Sequence, residues 1–148
     1  MTTKIKLIAV KRVYEKPARG DGNRVLVDRL WPRGLSKERA ELDAWLRDLA
    51  PSDELRHWFH TRGHAWLTFR KRYLKELVNP EAGEALNQLY RLANQKKALT
   101  LLFASKDVEH NNAVVLKDLL EGMRKPPNGT GRGAIRAMQE REAKRMPR

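Results

Sequence analysis

The chain has 148 residues, 41% of them hydrophobic, and its 31 Lys and Arg outweigh 18 Asp and Glu to give a net charge of +13. That length supports one cored domain but not two, and the apolar content excludes a charge-rich disordered polymer. There is no cysteine, which excludes a disulfide framework, a thiol nucleophile and a cysteine-ligated zinc or iron–sulfur site.

The N-terminus, Met1-Thr2-Thr3-Lys4, leads into strand-like alternation and lacks the apolar core and cleavage site of a secretory signal. The longest apolar runs, such as Leu101 to Ala104, fall far short of the roughly 20 residues that span a bilayer. The expectation is a soluble cytoplasmic protein with no membrane association. From Arg124 onward eight Lys and Arg face two Glu, a net of +6, so +7 of the +13 lies before it. A basic balance of this size favours anionic ligands and polyanions; it also describes an ordinary surface rich in lysine and arginine.

Lys4 to Tyr14 alternates, with Ile5, Leu7, Ala9 and Val13 on the apolar face and Lys4, Lys6 and Arg12 on the other, the pattern of a strand with one polar face. Glu15 to Asn23 contains Pro17, Gly20, Asp21 and Gly22 and reads as a turn. Val25, Leu26 and Val27 form a strand buried on both faces, stopped by Pro32 and Gly34. From Ser36 the period turns helical, with Leu42, Trp45, Leu46 and Leu49 at i, i+3, i+4 and i+7, and Pro51 ends that helix. Ser52 caps a short second helix with Asp53 and Glu54 in its first turn and Leu55, Trp58 and Phe59 on its apolar face. A third helix from about His64 to Val78 carries Trp66, Phe69, Tyr73 and Leu77 on one stripe. Asn79-Pro80-Glu81 starts a fourth, with Ala82, Leu86, Leu89 and Ala93 inward.

Ala98 to Ala104 is apolar throughout and reads as a central strand. A last core helix follows from about Asn111 to Glu121, with Val115 and Leu119 in its buried stripe and Gly122 at C′. Arg124 to Gly133 is rich in Pro and Gly and reads as a linker; Ala134 to Met146 is weakly helical, with too little apolar content to dock firmly. The expected organisation is a single α/β domain over residues 1–123 and a basic tail over 124–148. The expected fold is three-layer α/β, a short, mostly parallel sheet flanked by helices.

Two strand ends carry unlike, complementary groups. The first offers Asp28, Arg29, Trp31 and Arg33, the second Lys106, Asp107, His110, Asn111 and Asn112. If the strands are parallel neighbours, these groups meet at one sheet edge, where open α/β sheets hold their ligands. The last helix begins at that edge, and its free N–H groups with Ser105 and Lys106 suit a phosphate or carboxylate. Arg29 and Arg33 offer planar forks for an anion, and Trp31 offers a ring for stacking. The competing reading is structural: Asp28 in an ion pair with an arginine, Asp107 as a helix cap, Trp31 as core.

The strings Lys11-Arg12-Val13-Tyr14, Asp21-Gly22 and Val25 to Gly34 resemble the opening of the YeaO-like family. The resemblance continues through Ala50-Pro51-Ser52, Leu55-Arg56, Trp58-Phe59, Phe69, Arg72-Tyr73 and Glu76-Leu77. It closes with Leu101-Leu102, Ala104, Lys106-Asp107 and His110-Asn111-Asn112-Ala113, and so covers roughly residues 5 to 122. That family is a branch of the superfamily called domain of unknown function 488, and the resemblance implies no established activity. Other branches place a Cys, a His and an Arg after the third strand; this chain has His110-Asn111-Asn112 and no Cys there, so the resemblance does not carry covalent catalysis to it.

Other chemistries are weaker. His57, His60 and His64 invite a metal only on one continuous helix, which Gly63 breaks, and Arg56 and Arg62 oppose a cation, so no metal is expected. No cofactor motif appears, and Gly129 to Gly133 follows no strand. His110 is the candidate general acid or base, oriented by Asp107 or Asp28; fixing a loop is its structural alternative. The leading expectation is a site for an anionic, phosphate-bearing or nucleotide-like small molecule, and any chemistry there is non-covalent. The alternative is a nucleic-acid-associated module without catalysis, binding non-specifically through its Lys and Arg residues and the tail. The oligomeric state is not legible.

Overall fold

A computed structural model describes residues 7–62, 65–122, 135–136 and 138–140, Arg62 by its backbone alone. Strands β1 (Leu7–Arg12), β2 (Asn23–Leu26), β3 (Ala44–Trp45) and β4 (Ala98–Phe103) form one sheet in the order β1-β4-β2-β3. Every pairing is parallel, with Val10 opposite Leu101 and Leu26 opposite Leu102. The fold is α/β, as the alternating periods imply. β4 is central, and from Leu99 to Phe103 it is buried, the composition of a strand covered on both faces.

Helices α1 (Lys37–Ala40), α2 (Asp53–Arg62), α3 (Trp66–Glu76), α4 (Pro80–Gln95) and α5 (Asn112–Gly122) complete the described elements of any length. Their starts follow the capping residues. The Ser36 hydroxyl accepts the Arg39 N–H at 3.1 Å, Ser52 accepts that of Leu55 at 3.1 Å, and Asn79 accepts that of Ala82 at 2.9 Å ahead of Pro80. Such caps each contribute about 1 kcal/mol. No described helix is long and apolar enough to cross a membrane.

The sheet lies between two unequal apolar layers. The larger joins Ile8, Val25, Val27, Leu99, Leu101 and Phe103 to the inner faces of α3, α4 and α5. The smaller sets Val13, Leu26 and Leu102 against Trp31, Leu35, Leu42 and Trp45. Each fully buried Leu of these layers contributes roughly 1.5–3 kcal/mol. Beside the smaller layer lies an ionic network. Asp21 receives the Arg24 guanidinium at 2.6 Å and the Lys11 ammonium at 3.2 Å, and Arg24 also donates to the Ala40 carbonyl at 2.8 Å and that of Glu41 at 3.1 Å.

Three expectations are corrected. The helix expected from Ser36 to Pro51 stops at Ala40: Glu41 adopts a left-handed φ of 46°, its carbonyl and that of Ala40 are held by buried Arg24, and the chain straightens into β3. Asp43 ties that strand on, its carboxylate accepting the Arg24 N–H and its own N–H donating to the Arg24 carbonyl, both at 2.8 Å. Leu42 and Trp45 then serve the smaller layer while Leu46 and Leu49 serve the larger, a division across two faces that one helix stripe does not allow.

In β1 the phase is one residue off. Ile8 and Val10 face the larger layer, and Leu7 is 58% exposed, because a strand's alternation inverts with a one-residue shift. Finally, Ile135 and Met138 are buried in the larger layer, so the weak docking expected for 134–146 does not hold at those positions.

Candidate functional site

The C-terminal ends of β2 and β4 are adjacent, and the Val27 N–H extends their ladder to the Leu102 carbonyl at 3.1 Å. From there the chain diverges. β4 leads into α5, which packs on β1 and β4, whereas β2 leads to β3 on the far side. Diverging connections leave a crevice at the strand ends. A cleft of about 630 Å³ occupies it, within the size range of small-molecule sites. Asp28, Arg29, Trp31 and Arg33 line one side of the cleft, and Lys106, Asp107, His110, Asn111 and Asn112 line the other. The structure thus brings every candidate residue of the sequence reading to one hollow.

Asp28 forms part of the floor. Its carboxylate accepts the Ala104 N–H at 2.8 Å and the Asn112 side-chain amide at 3.2 Å. No Lys or Arg among the described residues lies within ion-pair distance of it, so the expected alternative of an arginine pair is not what is found. Burial pushes the Asp28 carboxyl above the ordinary aspartate value, against the Ala104 N–H, the Asn112 amide and the more distant charge of Arg56. Asn112 is buried and also donates to the Val27 carbonyl at 2.9 Å.

The loop from Ser105 to Asn111 is held by short-range turns. Asp107 accepts the N–H groups of Glu109 and His110, each at 3.0 Å, and its carboxylate stands 3.3 Å from His110 Nδ1. Its slight burial acts to raise its pKa, but those N–H groups and the imidazole outweigh this and hold the carboxyl below the ordinary range. Asn111, not Asp107, caps α5, its Oδ1 accepting the Val114 N–H at 3.1 Å. Arg12, at the end of β1, braces the same loop by donating to the Ala104 and Ser105 carbonyls, both at 3.0 Å. The His110 ring meets Trp66 edge-on at 5.0 Å.

The first turn is equally built. The Leu35 N–H returns to the Pro32 carbonyl at 3.4 Å, with Gly34 at φ 76°, the left-handed position that favours glycine in such turns. Trp31 donates to the Leu35 carbonyl at 2.6 Å and packs edge-to-face on Trp45 at 5.3 Å; it is half-buried, both cleft wall and part of the smaller layer. Trp45 donates to the Asp28 carbonyl at 2.7 Å. Arg29 stands 3.6 Å from Asp53 on the surface. Among the described residues neither Arg33 nor Lys106 has an acidic partner.

The sequence reading missed the third wall. Arg56, Phe59 and His60 of α2 and Phe69 of α3 line the cleft, with Phe59 and Phe69 rings 4.5 Å apart. The i, i+3, i+4 spacing of Arg56, Phe59 and His60 puts them on one helix face. That spacing was the available clue; Phe59 reads as core because it is half-buried and also packs against the larger layer.

Residues 7–132 match the family profile described as the inactive DUF488-N3 subclade. The chain belongs to that family. Its reach to residue 132 corrects the expectation that the family resemblance ends near Gly122. The uncharacterised protein YeaO of Escherichia coli K12 is 43% identical over 117 residues, 78% of this chain and 98% of its own. Uncharacterised proteins of Mycobacterium bovis and Mycobacterium tuberculosis H37Rv are each 39% identical over 115 residues, 78% of this chain and 94% of their own. No solved structure matches the chain. The DUF488 relationship read from the Trp-Pro-Arg-Gly string therefore holds, and the relatives carry no activity in their names.

Proposed function

We propose that the cleft binds an anionic small molecule and holds it without covalent chemistry. The observation that carries this reading is the pairing of unengaged cations with an aromatic wall: Arg33 and Lys106 lack acidic partners among the described residues, and Tyr14, Trp31 and Phe59 line the same hollow. A guanidinium fork suits a phosphate or carboxylate, and ring faces suit a planar or sugar moiety.

Binding is favoured over acid–base catalysis. The His110–Asp107 pair is about half exposed, at 44% and 54% of the side-chain surface, which leaves it screened by solvent, and the family's description as inactive fits a site that holds rather than transforms. A nucleic-acid surface on α3 has less support: Arg72 stacks on Trp58 at 4.2 Å and the largely buried Arg70 pairs with Asp118 at 2.6 Å, so both cations are engaged within the fold.

Calorimetry with ribose 5-phosphate and inorganic pyrophosphate tests the reading. The expected result is saturable one-to-one binding, weakened about tenfold or more by Arg33→Ala, the loss expected for a charge-assisted hydrogen-bonding partner. The same binding is unchanged by Lys71→Gln with Lys75→Gln. Binding only to DNA or RNA, falling steeply with salt and indifferent to Arg33→Ala, would establish the polyanion alternative instead.

A further inference from the structure

Asp28 is out of place in a site that serves anions alone. It is a half-buried carboxylate at the floor of a cleft also bordered by Arg29, Arg33, Arg56 and Lys106, with the exposed Asp107 held by its own loop, and none of those cations reaches ion-pair distance of it. Its two oxygens each accept one hydrogen bond, from the Ala104 N–H and the Asn112 amide. A carboxylate has about four acceptor positions, so each oxygen keeps one, and Asp28 lines the open cleft. The two donors fix the carboxylate plane, which presents a preset acceptor pair instead of a swinging side chain. A bare anion placed deep in the cleft would meet this negative charge. An anionic ligand that enters must therefore turn a donor-bearing end toward the floor and keep its charge at the mouth, beside Arg33 and Lys106.

Resting on the reading of the cleft as an anion site, we propose that its ligand is a nucleotide of the guanine type, whose ring presents adjacent N–H donors to Asp28 while its phosphate meets Arg33 and Lys106. Three features converge on this class. Two carboxylate oxygens side by side match two adjacent N–H groups, as they match the fork of a guanidinium. The aromatic side chains along the cleft suit a flat heterocycle. The volume of about 630 Å³ accommodates a mononucleotide. Asp28 is here a specificity residue and takes no part in any reaction.

The test is a ligand series on the unaltered full-length protein, by calorimetry: GMP, IMP, XMP and ribose 5-phosphate. IMP lacks the exocyclic amine, XMP replaces it with a carbonyl acceptor, and ribose 5-phosphate has no ring. GMP is expected to bind tightest, IMP about tenfold more weakly and XMP about a hundredfold more weakly, since a site built for a donor rejects a ligand that leaves it unpaired. Asp28→Asn, with its fold checked by circular dichroism, is expected to reverse the order of GMP and XMP.

Equal affinities for GMP, IMP and XMP, or ribose 5-phosphate as tight as GMP, would overturn the proposal while leaving the anion site standing. No binding of any of the four, ribose 5-phosphate included, would remove the anion reading and this one with it. Because the ligand series needs no variant, failure of Asp28→Asn to fold does not rescue the proposal.

Discussion

The Asn112 side-chain amide donates at once to the Val27 carbonyl at 2.9 Å and to Asp28 at 3.2 Å. With this contact the first residue of α5 is stitched to the end of β2, from which β3, α1 to α4 and β4 separate it in sequence. The cleft floor is thus part of the fold's own framework. Replacing Asn112 with Ala leaves the Val27 carbonyl without that donor and takes one from Asp28. Loss of a buried partner costs about 1–3 kcal/mol, so the urea midpoint of Asn112→Ala should fall accordingly. Asn112→Asp, which sets a second carboxylate against Asp28, should fall further. Midpoints equal to the wild type would show that the amide does not hold the two elements together.

The two structural aspartates pull stability in opposite directions with pH. Burial acts to raise the pKa of Asp21, but the Ala18 N–H, Lys11 and Arg24 outweigh it and hold the carboxyl below the ordinary 3.8. Its contribution is therefore present above that value and is lost as pH falls through the lower folded value. Asp28 is raised above 3.8; its contribution is present below that value and is lost as pH rises through the folded one. Thermal melts from pH 2 to 7 should show Asp21→Asn with a flattened acid limb and Asp28→Asn with a shallower decline above pH 4. At pH 7, Asp21→Ala should cost about 3–5 kcal/mol, the cost of leaving a buried partner, Arg24, without its counter-charge.

Legibility followed the range of the interactions. The strand ends could be read because apolar runs and their charged termini are contiguous: Val25 to Arg33 and Ala98 to Asn112 each carry strand and site in one string. Helix starts at Ser52 and Asn79 were legible because caps are local. What failed was decided at a distance. The stripe Leu42, Trp45, Leu46, Leu49 satisfies a helical period, yet Arg24, far upstream, ends α1 by taking its last carbonyls. β1 carries apolar residues on both phases, so only its packing against β4 and α5 selects Ile8 and Val10. The spacing of Arg56, Phe59 and His60 marks one face of α2, but nothing in those residues names the loop that face meets, so the wall of the cleft could not be assigned.

The glycines of two turns should respond differently to the same substitution. Gly22 has φ 65°, and a Cβ there would stand 2.0 Å from the Ala98 carbonyl oxygen, where backbone cannot yield. Gly34 has φ 76° with nothing within 4 Å of a Cβ. Gly34→Ala should therefore cost only the left-handed strain, about 1–2 kcal/mol. Gly22→Ala adds a backbone clash beside the β4 start and should lose several-fold more, or fail to accumulate as folded protein. Equal denaturation midpoints for the two variants would contradict the close approach of Gly22 to β4.

The burial of Ile135 and Met138 makes the C-terminal segment a contributor to the core. Ile135 is fully buried and Met138 is 6% exposed, both within the layer formed by β4 and α5. Arg136, one residue on, is exposed. Large-to-small truncation in a core costs about 2–5 kcal/mol, through lost transfer energy and the cavity left behind, whereas an exposed substitution stays within about 0.5 kcal/mol. Ile135→Ala should therefore lower the urea midpoint strongly and Arg136→Ala should leave it unchanged. The same logic forbids treating residues 124–148 as a removable tail, since truncation before Ile135 exposes the apolar surface it covers. If Ile135→Ala and Arg136→Ala melt alike, the segment does not contribute to the core, and truncation should then be silent as well.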